Sequence, residues 1–116
     1  MQIATDDLTA PPLDISERSF QAQVLRVALA YGWQFMHVPA VFTRGSWRTP
    51  TQGTPGFPDL VLARDGVLLL VELKTEKGRF RPGQEEWVSA AGEHGYIWRP
   101  SNWAAILQTL AGDSDE

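Results

Sequence analysis

The run GFPDLVLARDGVLLLVELK, residues 56 to 74, sets Asp59, Glu72 and Lys74 among aliphatic side chains. A charge in such company is costly to desolvate unless a group of opposite sign meets it. Asp65-Gly66 is a favoured pair for a two-residue hairpin turn. With Arg64 and Val67 closing that turn, the register carried down the hairpin brings Asp59 directly across from Glu72, with Cβ atoms about 5 Å apart on one face. Glu72 and Lys74 are two apart on one strand, so Lys74 joins them there. Like charges facing each other destabilise a sheet, and two carboxylates in a partly dry site cannot both ionise cheaply. A cation resolves the conflict. The chain has no cysteine, and an oxygen-only pair of acids suits Mg²⁺ or Mn²⁺, leaving positions for water and phosphate oxygens. The backbone carbonyl of Leu73 is a candidate further ligand. Lys74 beside the ion can orient or deprotonate a water and offset charge on an attacked phosphate. The competing arrangement is a salt bridge from Lys74 to one acid with the other protonated, because structural ion pairs are common.

The elements that must position these residues can be read along the chain. Residues 1 to 15 are polar and proline-bearing and are expected to be a flexible arm. Ser16 is a candidate N-cap, with Ile15 and Phe20 as a hydrophobic staple. Phe20, Val24, Val27, Ala28 and Tyr31 recur at helical spacing up to Gly32, predicting a first helix of about 15 residues. WQFMHVP follows as a short strand. FTRGSWRTPTQGTPG, rich in Gly, Thr, Pro and Arg, reads as a long loop. The hairpin strands are expected near residues 58–64 and 67–74, then a helix over about 82–92 with Pro82 near its start. YIWRP is a fourth strand and SNWAAILQTL a last helix with Ser101 as its cap. The order is αβββαβα, an α/β domain over 16–111 whose mixed sheet of about four strands is flanked by helices, with an acidic tail at 112–116.

Composition fits a single soluble domain: 116 residues, 43% hydrophobic and 21% charged. No run reaches the roughly 18 apolar residues of a spanning helix, and no secretory leader pattern opens the chain. A cytoplasmic protein without membrane contact is expected. The net charge of −4 is misleading, because five of the 14 acids (Asp6, Asp7, Asp113, Asp115, Glu116) lie in the two tails. Residues 44 to 81 hold seven basic residues (Arg44, Arg48, Arg64, Lys74, Lys77, Arg79, Arg81) against four acidic ones. Lys77, Arg79 and Arg81 follow the hairpin within one loop beside a helix start, which makes a phosphate cradle. Arg44 and Arg48, with Trp47 between them, suit gripping DNA or stacking on an unpaired base. Taken singly, each of these reads rather as a solvated surface charge. Trp33, Trp87, Trp98 and Trp103 are expected as core or dimer contacts, and His37 as a satisfied core histidine or a neighbour of the site.

GFPDLVL, LLLVELKTEKGR, GQEEWV and YIWRPSNW together resemble the VRR-NUC group of PD-(D/E)XK nucleases, most of all its small stand-alone phage-type members. The resemblance runs from about Glu17 to Leu110. Its specificity comes from Pro58-Asp59, Glu72-x-Lys74, Thr75-x-x-Gly78-Arg79 and Gln84-x-x-Trp87 in one frame. It implies a restriction-endonuclease-like core and a metal-dependent DNA endonuclease, acting on branched structures such as Holliday junctions, with Mg²⁺ or Mn²⁺ on Asp59 and Glu72 and Lys74 as catalytic lysine. It also implies a homodimer and makes Gln84 an active-site residue, where the alternative is a polar residue in a first helical turn without such a duty. Related nucleases place a metal-side acid on the first helix. Glu17 takes that place, or Gln23 in its stead, though a Glu there also simply suits the helix dipole. The segment SWRTPTQGTPG before Phe57 is longer than the pattern leads one to expect. Two other functions compete: a nucleic-acid-binding module that does not cut, and an interaction domain with a structural ion triad.

Overall fold

The computed structural model describes residues 5–38, 41–43, 46–48 and 53–112, with 41–43 and 46–48 described as backbone only. The elements are α1 (Thr5–Leu8), α2 (Glu17–Ala30), β1 (Gln34–His37), β2 (Val41–Thr43), β3 (Ser46–Arg48), β4 (Leu60–Arg64), β5 (Val67–Leu73), α3 (Gln84–Ala91), β6 (Gly95–Trp98) and α4 (Trp103–Ala111), with short 3₁₀ turns at Gly92–His94 and Pro100–Asn102. A mixed four-stranded sheet in the order β1-β4-β5-β6 forms the centre. β1, β4 and β5 run antiparallel in sequence, and β6 joins parallel to β5. A parallel partner needs a crossover, and α3 is that crossover.

The hairpin register is the one the Asp65-Gly66 turn dictates. Asp65 and Gly66 have φ of 50° and 84°, the left-handed pair of a type I′ turn, and Arg64 pairs with Val67 through to Leu60 with Val71. α2 starts at its expected cap, where Ser16 Oγ accepts from the Ser19 N–H at 3.1 Å. One face of the sheet carries Leu60, Leu62, Leu69, Val71, Leu73 and Trp98, buried against Phe20, Val24 and Val27 of α2 and Trp103, Ile106 and Leu110 of α4. Alternation then sends Glu72 to the opposite face. That face is covered only in part: α3 packs on β5 and β6, while Met36 and Leu68 stay exposed.

Several expectations change. The segment read as a flexible arm contains α1 and is docked: Gln23 Nε2 donates to the Asp7 and Thr9 carbonyls at 3.1 and 2.8 Å, Arg26 pairs with Asp7 at 2.8 Å, and Trp103 Nε1 donates to the Leu8 carbonyl at 2.9 Å. The long loop includes the antiparallel pair β2–β3, in which Phe42 is the partner of Trp47; strand-favouring Val, Phe, Thr and Trp explain it. Ser101 does not cap the last helix. It lies inside a 3₁₀ turn, and α4 follows from Asn102, whose Oδ1 accepts from the Arg99 N–H at 2.8 Å. Arg64 leaves the basic surface altogether. Its Nη1 donates to the carbonyls of Tyr31 at 2.8 Å and Leu110 at 3.1 Å, and its guanidinium stacks 4.6 Å over Trp33. A cation there meets the negative C-terminal ends of α2 and α4. Among the described residues no helix is long and apolar enough to cross a membrane.

Candidate active site

The cluster is built where the hairpin ladder ends. A two-residue turn makes its flanking pair exchange both backbone bonds, as does every second pair after it, so Leu73 directs its N–H and C=O toward position 58. Residue 58 is a buried proline, which has no N–H to give. Regular pairing therefore stops. The Leu73 N–H is taken instead by Asp59 Oδ2 at 3.0 Å, and the Leu73 carbonyl lacks the ladder donor that any other residue at 58 would supply. Asp59 is anchored on its other side by its own carbonyl, which accepts from the Val38 N–H at 2.8 Å.

Asp59, Glu72, Lys74 and Gln84 are 7%, 1%, 4% and 2% exposed, so four polar side chains share a nearly dry site. Glu72 Oε2 accepts from Gln84 Nε2 at 2.7 Å and lies 3.6 Å from Lys74 Nζ. Glu72 Oε1 is buried with no hydrogen-bond partner. Burial first, and then the charge of Asp59, push the Glu72 carboxyl up from 4.5 to about 8, against the opposing pull of Lys74. Lys74 Nζ donates to the Arg79 carbonyl at 2.9 Å. Gln84 Oε1 accepts from the Arg81 N–H at 2.6 Å, which ties the first turn of α3 to the loop that leaves β5.

Glu17 and Gln23, the two candidates on α2, separate. Glu17 is exposed as a residue, yet partial burial of its carboxyl raises its pKa, followed by the charge of Asp59, with Lys74, Arg81 and His37 pulling it down. It stands within the field of the cluster. Gln23 is committed to the Asp7 and Thr9 carbonyls and serves the docked N-terminal segment. His37 is half-buried at the end of β1, close enough to act on Glu17. Lys77 and Arg79 are exposed in the loop after Lys74, and Arg81 is half-buried with its field reaching both Glu17 and Glu72. Arg44 and the Arg48 side chain lie outside the described residues.

A backbone clamp that the sequence did not disclose joins the Asp59 strand to α3. Gly56 and Gly83, with φ of 95° and 89°, are in backbone contact, so that a Cβ on Gly56 would run into the Gly83 carbonyl and one on Gly83 into the Pro55 carbonyl oxygen. Trp87 Nε1 donates to the Thr54 carbonyl at 3.0 Å and the ring meets Phe57 edge to face at 4.9 Å. Gly83→Ala should therefore destabilise the fold by more than the ~1–2 kcal/mol of a left-handed alanine. Gly66→Ala, where a Cβ meets nothing within 4 Å, isolates the backbone term; the difference between their urea midpoints measures the overlap.

Among the described residues no three His, Asp or Glu side chains are gathered closely enough to hold a metal ion by themselves. Two acids with an unpartnered buried oxygen still fit a hard divalent cation, because Mg²⁺ keeps several waters and accepts one or two protein carboxylates. The donor set would then be Asp59, Glu72 and the Leu73 carbonyl, with the remaining positions left to water or phosphate oxygens. Compared with family models, curated proteins and solved structures, the chain matches none.

Proposed function

We propose that the chain is a divalent-metal-dependent endodeoxyribonuclease of the VRR-NUC type with a restriction-endonuclease-like core, selective for branched DNA such as Holliday junctions and working as a homodimer in the cytoplasm of a bacterial or phage-infected cell. The observation that carries the reading is Glu72 Oε1, a buried acid oxygen without a partner, beside a second acid and a buried lysine. An arrangement that costs the metal-free fold stability is explained by a ligand that relieves it.

Asp59 and Glu72, with the Leu73 carbonyl, would hold Mg²⁺ or Mn²⁺, which supplies charge stabilisation for the phosphate under attack. Gln84 fixes the Glu72 carboxylate by occupying Oε2, which leaves Oε1 for the ion. Lys74, within 3.6 Å of Glu72, orients the attacking water and offsets charge on the phosphate oxygens. Glu17 contributes a third acid at the rim, able to receive a proton. Lys77 and Arg79, exposed beside the start of α3, contact the flanking backbone phosphates, with Arg81 nearer the acids. A two-fold dimer presents two such sites to two symmetric strands of a junction.

The test is a panel of end-labelled junctions, flaps, single strands and linear duplexes incubated with Mg²⁺, Mn²⁺ or EDTA. Cutting in metal and none in EDTA is expected, with paired cuts near the branch of a junction. Binding without cutting in either metal would replace the nuclease by a DNA-binding module of the same fold.

A further inference from the structure

We infer that Arg99 is a positioning residue for Lys74, acting through the loop between β5 and α3; the inference rests on the nuclease reading for its catalytic consequence but not for its geometry. Arg99 Nη1 donates to three carbonyls of one loop, those of Thr75 at 2.6 Å, Glu76 at 3.2 Å and Gly78 at 3.0 Å. Three oxygens converging on one guanidinium nitrogen wind residues 75–78 into a closed turn. Two further bonds finish it: the Gly78 N–H donates to the Thr75 carbonyl at 3.1 Å, and Glu76 Oε1 accepts from the Ser101 N–H at 3.0 Å.

The turn ends at Arg79, and the Arg79 carbonyl is what Lys74 Nζ donates to, at 2.9 Å. The ring of Phe80 comes next, with Lys74 Nζ at 5.6 Å and the Arg99 guanidinium at 5.5 Å from its centre. Both cations lie within reach of one aromatic ring, so Phe80 links Lys74 to Arg99. Lys74 is a long side chain with four rotatable bonds and pays to be held in one rotamer. Its neighbours within the site are Glu72 Oε2, the Arg79 carbonyl and Phe80. Two of these three lie on the two residues that directly follow the turn Arg99 closes.

The parallel register explains how Arg99 reaches it. Leu73 is partnered with Trp98, and the Lys74 N–H donates to the Trp98 carbonyl at 3.0 Å. Position 99 thus follows β6 just where Lys74 follows β5, and its side chain reaches the carbonyls of the departing loop.

The chain contains two lysines, Lys74 and Lys77, the first 4% exposed and the second exposed. The ratio of their acylation by an amine-selective reagent, read by mass spectrometry, reports directly on how firmly Lys74 is held. In Arg99→Met the Lys74:Lys77 ratio should rise about fivefold or more as local opening becomes easier. The kcat for DNA cleavage should fall about tenfold or more with KM nearly unchanged, as for a misplaced catalytic group. Arg99→Lys, which keeps the charge but brings one ammonium to three carbonyls, should lie between wild type and Arg99→Met on both measures, and it serves if the first variant does not fold. An unchanged labelling ratio in either folded variant overturns the inference. So does a fall in DNA affinity that matches the fall in rate, which would make Arg99 a DNA contact. Wild-type protein that labels as expected but cuts no DNA would overturn the nuclease reading and leave the positioning role standing.

Discussion

Glu72→Gln is expected to flatten a decline in stability that the metal-free protein undergoes between pH 5 and pH 9. The Glu72 carboxyl is pushed up to about 8 by burial and by Asp59, from an ordinary 4.5. Between those values the folded protein keeps a proton that the unfolded chain has given up, so stability falls as pH rises through the window and levels off above it. One pKa unit corresponds to about 1.4 kcal/mol, which makes the whole decline on the order of 5 kcal/mol. Glu17, raised by its own burial and by Asp59, adds in the same direction. Glu76, lowered by its bonds to Ser101, acts the other way, but only below pH 4.5. Glutamine removes the ionisation and still accepts from Gln84, so the variant should match wild type near pH 5 and exceed it near pH 9. Urea midpoints in EDTA measure this. Mn²⁺ should restore the wild type at pH 9, by about 2.7 kcal/mol at a hundred times its dissociation constant, and do nothing for Glu72→Gln, which should also cut no DNA. Wild-type stability that stays level from pH 5 to pH 9 would remove the strained acid pair on which the metal site depends.

That pair was legible because one local feature fixed it. Asp65-Gly66 favours a turn with two left-handed residues, the turn sets the register, and the period of two sets the face, so the placement of Asp59, Glu72 and Lys74 follows from sequence neighbours alone. The contribution of Gln84 was legible only through the family pattern. Nothing local shows that its amide reaches Glu72 Oε2. Arg99 carried no signal for a related reason: a crossover helix leaves the parallel register free, so the sequence does not say that position 99 lies beside the loop after Lys74. The Gly56–Gly83 contact is between segments far apart in the chain, and each glycine alone reads as an ordinary turn residue. By sequence Arg64 simply joins the basic residues of 44–81, whereas two helix C-termini, formed by residues remote from it, converge on its side chain. In each case the missing quantity is a long-range placement. The N-terminal segment is the same lesson in reverse: its composition is that of an arm, and only the Gln23 and Trp103 donors waiting on α2 and α4 make it a docked one.

Lys74→Met separates the catalytic reading from a structural ion triad more sharply than any change to the acids. On the nuclease reading the ammonium acts on the water and the phosphate, so its loss should lower cleavage by roughly 10²–10⁴-fold, with DNA affinity held within a small factor because the exposed Lys77 and Arg79 remain. On the triad reading there is no cleavage to lose and the whole effect falls on stability. The two stability profiles can be predicted as well. Lys74 is the larger of the two charges, with Arg81, that pull Glu72 downward, so removing it raises Glu72 further and moves the decline in stability to higher pH, where an unpaired buried carboxylate becomes still less tolerable. Near pH 6, with Glu72 already protonated in the fold, a methionine of similar length should be nearly neutral in stability. Cleavage assayed near pH 6 therefore compares two equally folded proteins, and a Lys74→Met variant that still cuts at the wild-type rate there would take the lysine out of the chemistry. The double variant E72Q/K74M completes the argument: it should regain stability at pH 9, because the Glu72 carboxylate that the lysine's loss would strand is gone, and should remain unable to cut DNA in any metal.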